Sequence, residues 1–223
     1  PARGGSKRIP RKNIKPFFGK PIISYSIETA IKSNCFDLVI VSTDDEEIAE
    51  ISRQYGAQTP FMRPPQFSDD CIGAIPVIRH AVKWFLDRGK NFQQVCCIYP
   101  TAPFINSDDI TSGLRILTET NDDYVFSVTN YAFPIQRAIR ILESNKVEMF
   151  QPKEFNTRSQ DLEEAYHDAG QFYWGKASAW LNETSVFSKT SSPIFLPRSR
   201  VQDIDNMDDW KHAELIYQAS NLL

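Results

Sequence analysis

Two groups of residues in this chain have types and spacings suited to chemistry on phosphate. The first is the opening stretch PARGGSKRIPRKN, in which Arg3, Lys7, Arg8, Arg11 and Lys12 surround a Gly4-Gly5-Ser6 turn. With Lys15 and Lys20 these cations all precede the first carboxylate, Glu28. Glycines let backbone N–H groups face an anion, the Ser6 hydroxyl adds a donor, and Arg3, Lys7 and Lys12 can neutralise a polyphosphate. A nucleoside triphosphate is the natural guest. The stretch fits neither G-x-x-x-x-G-K-[ST] nor G-x-G-x-x-G, and without its glycines it would read as a solvated basic terminus.

The second group is the acidic pair in QDID, Asp203 and Asp205. On a strand, residues i and i+2 share a face with side chains roughly 7 Å apart. The two aspartates could therefore flank one hydrated Mg²⁺ while Ile204 turns into the core. Magnesium takes one or two carboxylates together with substrate phosphate oxygens and water. The competing reading is that Asp205 or Asn206 caps the last helix.

These residues need a scaffold, and the composition describes one. At 223 residues, 41% hydrophobic and 24% charged, the chain reads as one globular domain spanning 1–223, with room for an insertion. A formal net charge of −3 leaves no global basic field to recruit nucleic acid or anionic lipid, so anion specificity must be local. No run is long and apolar enough to span a membrane, and no signal peptide is visible. Cys35, Cys71, Cys96 and Cys97 follow no metal-ligand spacing and read as buried, reduced thiols of a cytoplasmic protein.

Helix and strand patterns alternate along the chain. GKPIISYSIETAIKSN predicts a helix with Pro21 in its first turn, FDLVIVSTDD a buried parallel strand, and DEEIAEISRQYG a helix closed by Gly56. AIPVIRHAVKWFLDRG and SDDITSGLRILTET predict helices, QQVCCIYP and DYVFSVTN strands. The rhythm breaks over 133–166, which reads as an inserted arm for association. GQFYWGKASAWL then predicts strand and helix, SPIFLP and RVQDID strands, and MDDWKHAELIYQASNLL a terminal amphipathic helix. This order predicts an α/β fold with a mostly parallel sheet flanked by helices and ligands at the strands' carboxyl ends. Because a Gly-rich turn entering a helix normally follows the first strand of such a sheet, an apolar strand is expected upstream of Pro1.

The string P-A-R-G-G-S-K-x-I-x-x-K-N, followed in order by VSTDDEEIA, RPPQFSDD, YPTAPF, RSQ and DIDNMDDW, resembles the cytidylyltransferases that activate nine-carbon acidic sugars, the CMP-sialic acid synthetase family. The match runs along essentially the whole chain. It implies a Rossmann-like nucleotidyltransferase fold, CTP as co-substrate, a divalent metal, and homodimers formed through the 133–166 segment. It also implies that Arg3, Ser6, Lys7, Lys12 and Asn13 hold the triphosphate, that Arg63 and Asp69 line the nucleotide pocket, and that Asp203 and Asp205 bind the metal. The implied reaction is attack of the sugar's anomeric hydroxyl on the α-phosphate. Cations and metal, with Lys12, Arg3 and the two aspartates foremost, then act without a protein nucleophile.

The chain departs from the sialic acid pattern where the sugar would sit. Tyr99 stands in place of a glutamine before Pro100-Thr101, and YHDAGQFYWG replaces an arginine-bearing block. That block resembles the members that act on pseudaminic acid, a 5,7-diamino relative of sialic acid, and implies sugar contacts by Tyr99, Thr101, Arg158, Gln160, His167 and Asp168. N-acetylneuraminate and legionaminate remain the alternative sugars, and an anion- or RNA-binding protein the alternative without catalysis.

Overall fold

The computed structural model describes residues 1–69 and 71–220. Asp70 of RPPQFSDD and the last three residues of the expected terminal helix lie outside the described residues. After the basic turn, β1 (Pro16–Phe17) and β2 (Lys20–Pro21) pair antiparallel across Phe18 and Gly19, both at positive φ. Pro21 then stands at the N-cap of α1 (Ile22–Lys32), one position outside the expected first turn, where its missing N–H costs the helix nothing.

α2 (Glu46–Gln54) starts where the Asp45 carboxylate accepts the Ile48 N–H at 3.0 Å, and it stops ahead of Gly56 at φ 95°. α3 (Ala74–Leu86), β3 (Gln94–Ile98), α4 (Ser107–Glu119) and β4 (Tyr124–Asn130) follow as expected. An arm then leaves the sheet and carries a small antiparallel pair, β5 (Ile139–Ile141) with β6 (Val147–Met149). The core resumes with β7 (Tyr166–Lys176), α5 (Ala177–Leu181), β8 (Ser191–Phe195) and α6 (Met207–Ser220).

The central sheet has the order β3-β7-β4-β8. β3, β4 and β8 run in one direction, as expected of a mostly parallel sheet, while β7 runs antiparallel to both its neighbours. The arm supplies the reason: it leaves β4 at Asn130 and returns at Tyr166, which is paired with Asn130, so β7 must run back along β4. Both faces of β7 are covered. Phe172 and Trp174 pack on α4, and the Trp174 indole donates to the Ile110 carbonyl at 2.9 Å. Tyr173 joins Tyr124, Phe126 and Trp180 beneath α3.

Two expected strands form no ladder. Within FDLVIVSTDD only Ile40 and Thr43 make parallel bridges, to Gln58 and Met62. A cavity of about 430 Å³ is lined by Val39 and Val41 of that run and by Val95 and Cys97 of β3. RVQDID is likewise unpaired, although its alternation survives, with Ile204 fully buried between the two aspartates. The cysteines are free thiols as expected, but only Cys97 is buried; Cys35 and Cys96 are half-buried, and Cys71 is exposed beside Asp69.

Candidate active site

The basic turn is fastened at both ends. The Ala2 N–H donates to the Ser42 carbonyl at 2.9 Å, and the buried Asn13 amide donates to the Arg3 carbonyl at 2.9 Å. Gly4 donates its N–H to Asp44 Oδ1 at 2.9 Å, and a Cβ there would come within 2.5 Å of Asp45 Oδ2. A Cβ on Gly5 would meet nothing within 4 Å. Neither glycine has positive φ, so Gly4 serves close approach between backbone and carboxylate rather than an unusual turn.

Opposite the turn, the segment before α6 brings up the acidic pair. Lys12 Nζ donates to the Ile204 carbonyl at 2.5 Å and lies 3.8 Å from Asp205 Oδ1, while Arg8 reaches the same oxygen at 2.7 Å. Asn206 takes the helix cap: its side-chain oxygen accepts from the N–H groups of Asp208 and Asp209 at 2.8 and 3.0 Å. Asp209 answers by accepting from Asp205 and Asn206 N–H at 2.9 and 3.0 Å. This reciprocal capping box bears out the capping reading in its Asn206 form and leaves the Asp205 carboxylate outside the cap, paired with Arg8.

Charge is poised in this corner. Burial lowers the Lys12 pKa from its ordinary value, and Asp205 and Asp203 partly restore it. Asp203 is shifted upward by desolvation and by its neighbour Asp205, with Lys12 opposing. An added anion with cations of its own would relieve both shifts.

The turn, Asp205 and strand ends enclose a cleft of about 560 Å³, within the range of small-molecule sites. Arg3, Ser6, Lys7, Lys12 and Asn13 line one side and Asp205 closes it. Arg63 and Asp69 line the far wall with Phe67. The Arg63 guanidinium is buried and depressed in pKa by that burial; it lies 3.6 Å from Asp44 Oδ1 and donates through Nε to Ser68 at 3.2 Å. Tyr99 and Thr101 complete the wall beyond β3. Tyr99 is held through its backbone, where its N–H donates to Gln171 and its carbonyl accepts from the Ser26 hydroxyl at 2.7 Å.

The remaining predicted residues stand apart from this lining, Asp203 included, whose exposed side chain sits beside Asp205 but is not part of the cleft wall. Asp168 is one step behind the wall: Tyr173 donates its hydroxyl to Oδ2, Gly170 N–H donates to Oδ1 at 2.8 Å, and the Tyr173 ring packs 5.3 Å from that of Tyr99. His167 turns Nδ1 toward the Asp168 carbonyl at 2.8 Å and sets its ring edge-on to Tyr131. Arg158 and Gln160 are exposed on the arm and do not line the cleft. From sequence alone Arg8, Asp44 and Phe67 carry no site role; Arg8 belonged to the basic run and was within reach, whereas only folding brings Asp44 and Phe67 to the site.

A cytidylyltransferase family profile matches residues 1–202. The chain is 45% identical to a pseudaminic acid cytidylyltransferase of Campylobacter jejuni over 221 residues, covering 99% of this chain and 95% of that one. It is 30% identical to a CMP-N,N'-diacetyllegionaminic acid synthase of Legionella pneumophila, covering 98% and 94%. Among solved structures, a CMP:2-keto-3-deoxy-manno-octonic acid synthetase complexed with CTP superposes with a TM-score of 0.70 over 98% of this chain and 96% of that one, at 13% identity. At that identity the likeness speaks for the nucleotidyltransferase fold alone.

Proposed function

Since this chain belongs to the cytidylyltransferase family, we propose that it activates pseudaminic acid, converting CTP and the sugar to CMP-pseudaminic acid and diphosphate for glycosylation of a bacterial surface glycan or flagellin. The observation that carries this reading is the meeting of Lys12 and Asp205 across one cleft, 3.8 Å apart, although 193 positions separate them in the chain. A cationic turn and an acidic pair can then hold opposite sides of one triphosphate. The greater likeness to the pseudaminic relative, 45% against 30% for the legionaminic one, supports the choice of sugar.

In this reading Arg3, Ser6, Lys7, Lys12 and Asn13 bind the triphosphate, and Lys12 and Arg3 offset the charge that grows on the departing diphosphate. Arg63 and Asp69 face the nucleoside. Tyr99 and Thr101 face the sugar, supported by His167 and Asp168, with Arg158 and Gln160, which lie outside the cleft of their own chain, supplied by the arm of a second copy. No protein nucleophile is required.

The donor chemistry suits Mg²⁺. Among the described residues no cluster of three or more metal-ligating side chains exists, and the two aspartates are hard oxygen donors that leave further positions for phosphate oxygens and water. Asp203 and Asp205 would hold the ion, which when bound withdraws charge from the phosphates. Asp205 brings negative charge to the cleft, and Arg8 and Lys12 pair with it there. We further assign the enzyme to the cytoplasm as a homodimer. In support, no described helix is long and apolar enough to cross a membrane, and the arm exposes apolar side chains.

Diphosphate release measured with CTP and a panel of nine-carbon sugars tests the assignment. Turnover is expected with pseudaminic acid and Mg²⁺, and Asp203→Asn and Asp205→Asn should lose about 10²- to 10³-fold with the fold retained. Preference for neuraminic or legionaminic acid overturns the sugar, and salt-sensitive anion binding without turnover overturns the enzyme.

A further inference from the structure

Both ends of the cationic turn are tied to two consecutive acids, Asp44 and Asp45, which the chemistry of the cleft does not use. Gly4 N–H donates to Asp44 Oδ1 at 2.9 Å. Seven residues on, the Arg11 guanidinium grips Asp45 with two nitrogens, one of them 3.0 Å from Oδ1 and the other on Oδ2, and it also reaches Glu47. Arg11 makes this grip from a left-handed backbone, φ 56°, which a residue bearing a Cβ adopts only when its surroundings demand it.

The two acids are themselves anchored. Asp45 accepts the Ile48 N–H and so caps α2, and Asp44 lies 3.6 Å from the buried Arg63 guanidinium. Neither Asp45 nor Arg11 lines the cleft. A carboxylate beside a triphosphate site repels the ligand, so its presence there needs another cause, and its contacts supply one.

We propose that Asp44 and Asp45 are positioning residues that latch the phosphate-binding turn to the first turn of α2, Asp44 through the Gly4 amide and Asp45 through Arg11. The inference rests on the reading above that this turn holds the triphosphate. With the latch closed, Ser6, Lys7 and Lys12 are presented in one arrangement before CTP arrives, so less ordering is left for binding to drive.

Asp45→Asn separates the latch from the helix, because asparagine caps as well as aspartate but offers Arg11 no charge. Arg11→Gly removes the other half and relaxes φ 56° without touching the cap. With full-length protein, calorimetric titration of CTP should show each variant weakened about tenfold, the loss of one charge-assisted pair. Melting temperatures should fall by no more than about 3–6 °C, the worth of one such pair in a chain of this size, so that both variants are fully folded at the titration temperature, and kcat at saturating CTP and KM for the sugar should hardly move. The double variant should be no weaker than either single one, since both break the same tie. CTP binding unchanged in both single variants, multiplying losses in the double variant, or a loss in Arg11→Gly that comes with partial unfolding at the titration temperature each overturn the latch. A parent protein that binds no CTP overturns instead the functional reading on which the latch stands, and both then fall together.

Discussion

Gly4 and Gly5 are neighbours of one type, yet the structure gives them different tasks. Gly4 is closed in by the Asp45 carboxylate, whereas Gly5 faces open space. Gly4→Ala must push the turn off Asp45 and should raise KM for CTP about tenfold, while Gly5→Ala should stay within about twofold; equal effects would mean that the steric argument is wrong. The sequence distinguished neither, because the difference lies in the carboxylate of Asp45, forty-one positions from Gly4. Lys12 carries a pH consequence. Its pKa is lowered, so its ammonium is lost below the alkaline range of a free lysine, and kcat/KM for CTP should fall on the basic side at correspondingly lower pH. The sign follows from burial disfavouring the charged form, partly offset by Asp205 and Asp203. Lys12→Arg should push that limb beyond the measurable range, and a limb that stays in place assigns it to another group. Asp205 shows the reach of local reading: spacing alone left it torn between metal and cap, and only the Asn206–Asp209 hydrogen bonds assign the cap elsewhere.

At the scale of elements, the helices were legible because each carries its own punctuation: Pro21 before α1, Asp45 before and Gly56 after α2, Asn106 before α4. Strand direction was not legible. β7 reads from its residues like any buried strand, and its reversal is decided by the arm that returns to the end where β4 finishes. RVQDID had the alternation of a strand without a neighbour to pair with, so burial of Ile204 persisted while the ladder did not. Where β7 hands over to α5, backbone and aromatic rings meet with no slack. A Cβ on Gly175 would lie 2.5 Å from the Trp180 indole nitrogen and 2.6 Å from the buried Tyr124 ring. Gly175→Ala should therefore destabilise the fold by about 1–3 kcal/mol in urea unfolding, with no change in KM for survivors of the fold. Retained stability would show that the rings can move aside, contrary to the packing on both faces of β7.

For the whole molecule, the arm is the part least explained by a single chain. A two-stranded hairpin is marginal alone, yet β5 and β6 point their apolar side chains outward, Ile141 and Val147 being 68% and 65% exposed, with Phe133 and Phe155 at 82% and 70% nearby. Soluble monomers seldom leave so much apolar surface on one protrusion. A second copy of the chain is the cover proposed for it, and Arg158 and Gln160, which stand outside the cleft of their own chain, lie on the same arm. Light scattering behind size exclusion should then report about twice 25.5 kDa at micromolar concentration. Ile141→Asp, which puts charge on the face to be covered, should shift the species toward 25.5 kDa while leaving the far-ultraviolet spectrum intact. If turnover falls with the dimer, the arm serves the sugar site; if monomers keep full kcat and KM, association and chemistry are separate, and Arg158 and Gln160 leave the list of sugar contacts. A parent protein that runs as a monomer at all concentrations removes the dimer itself.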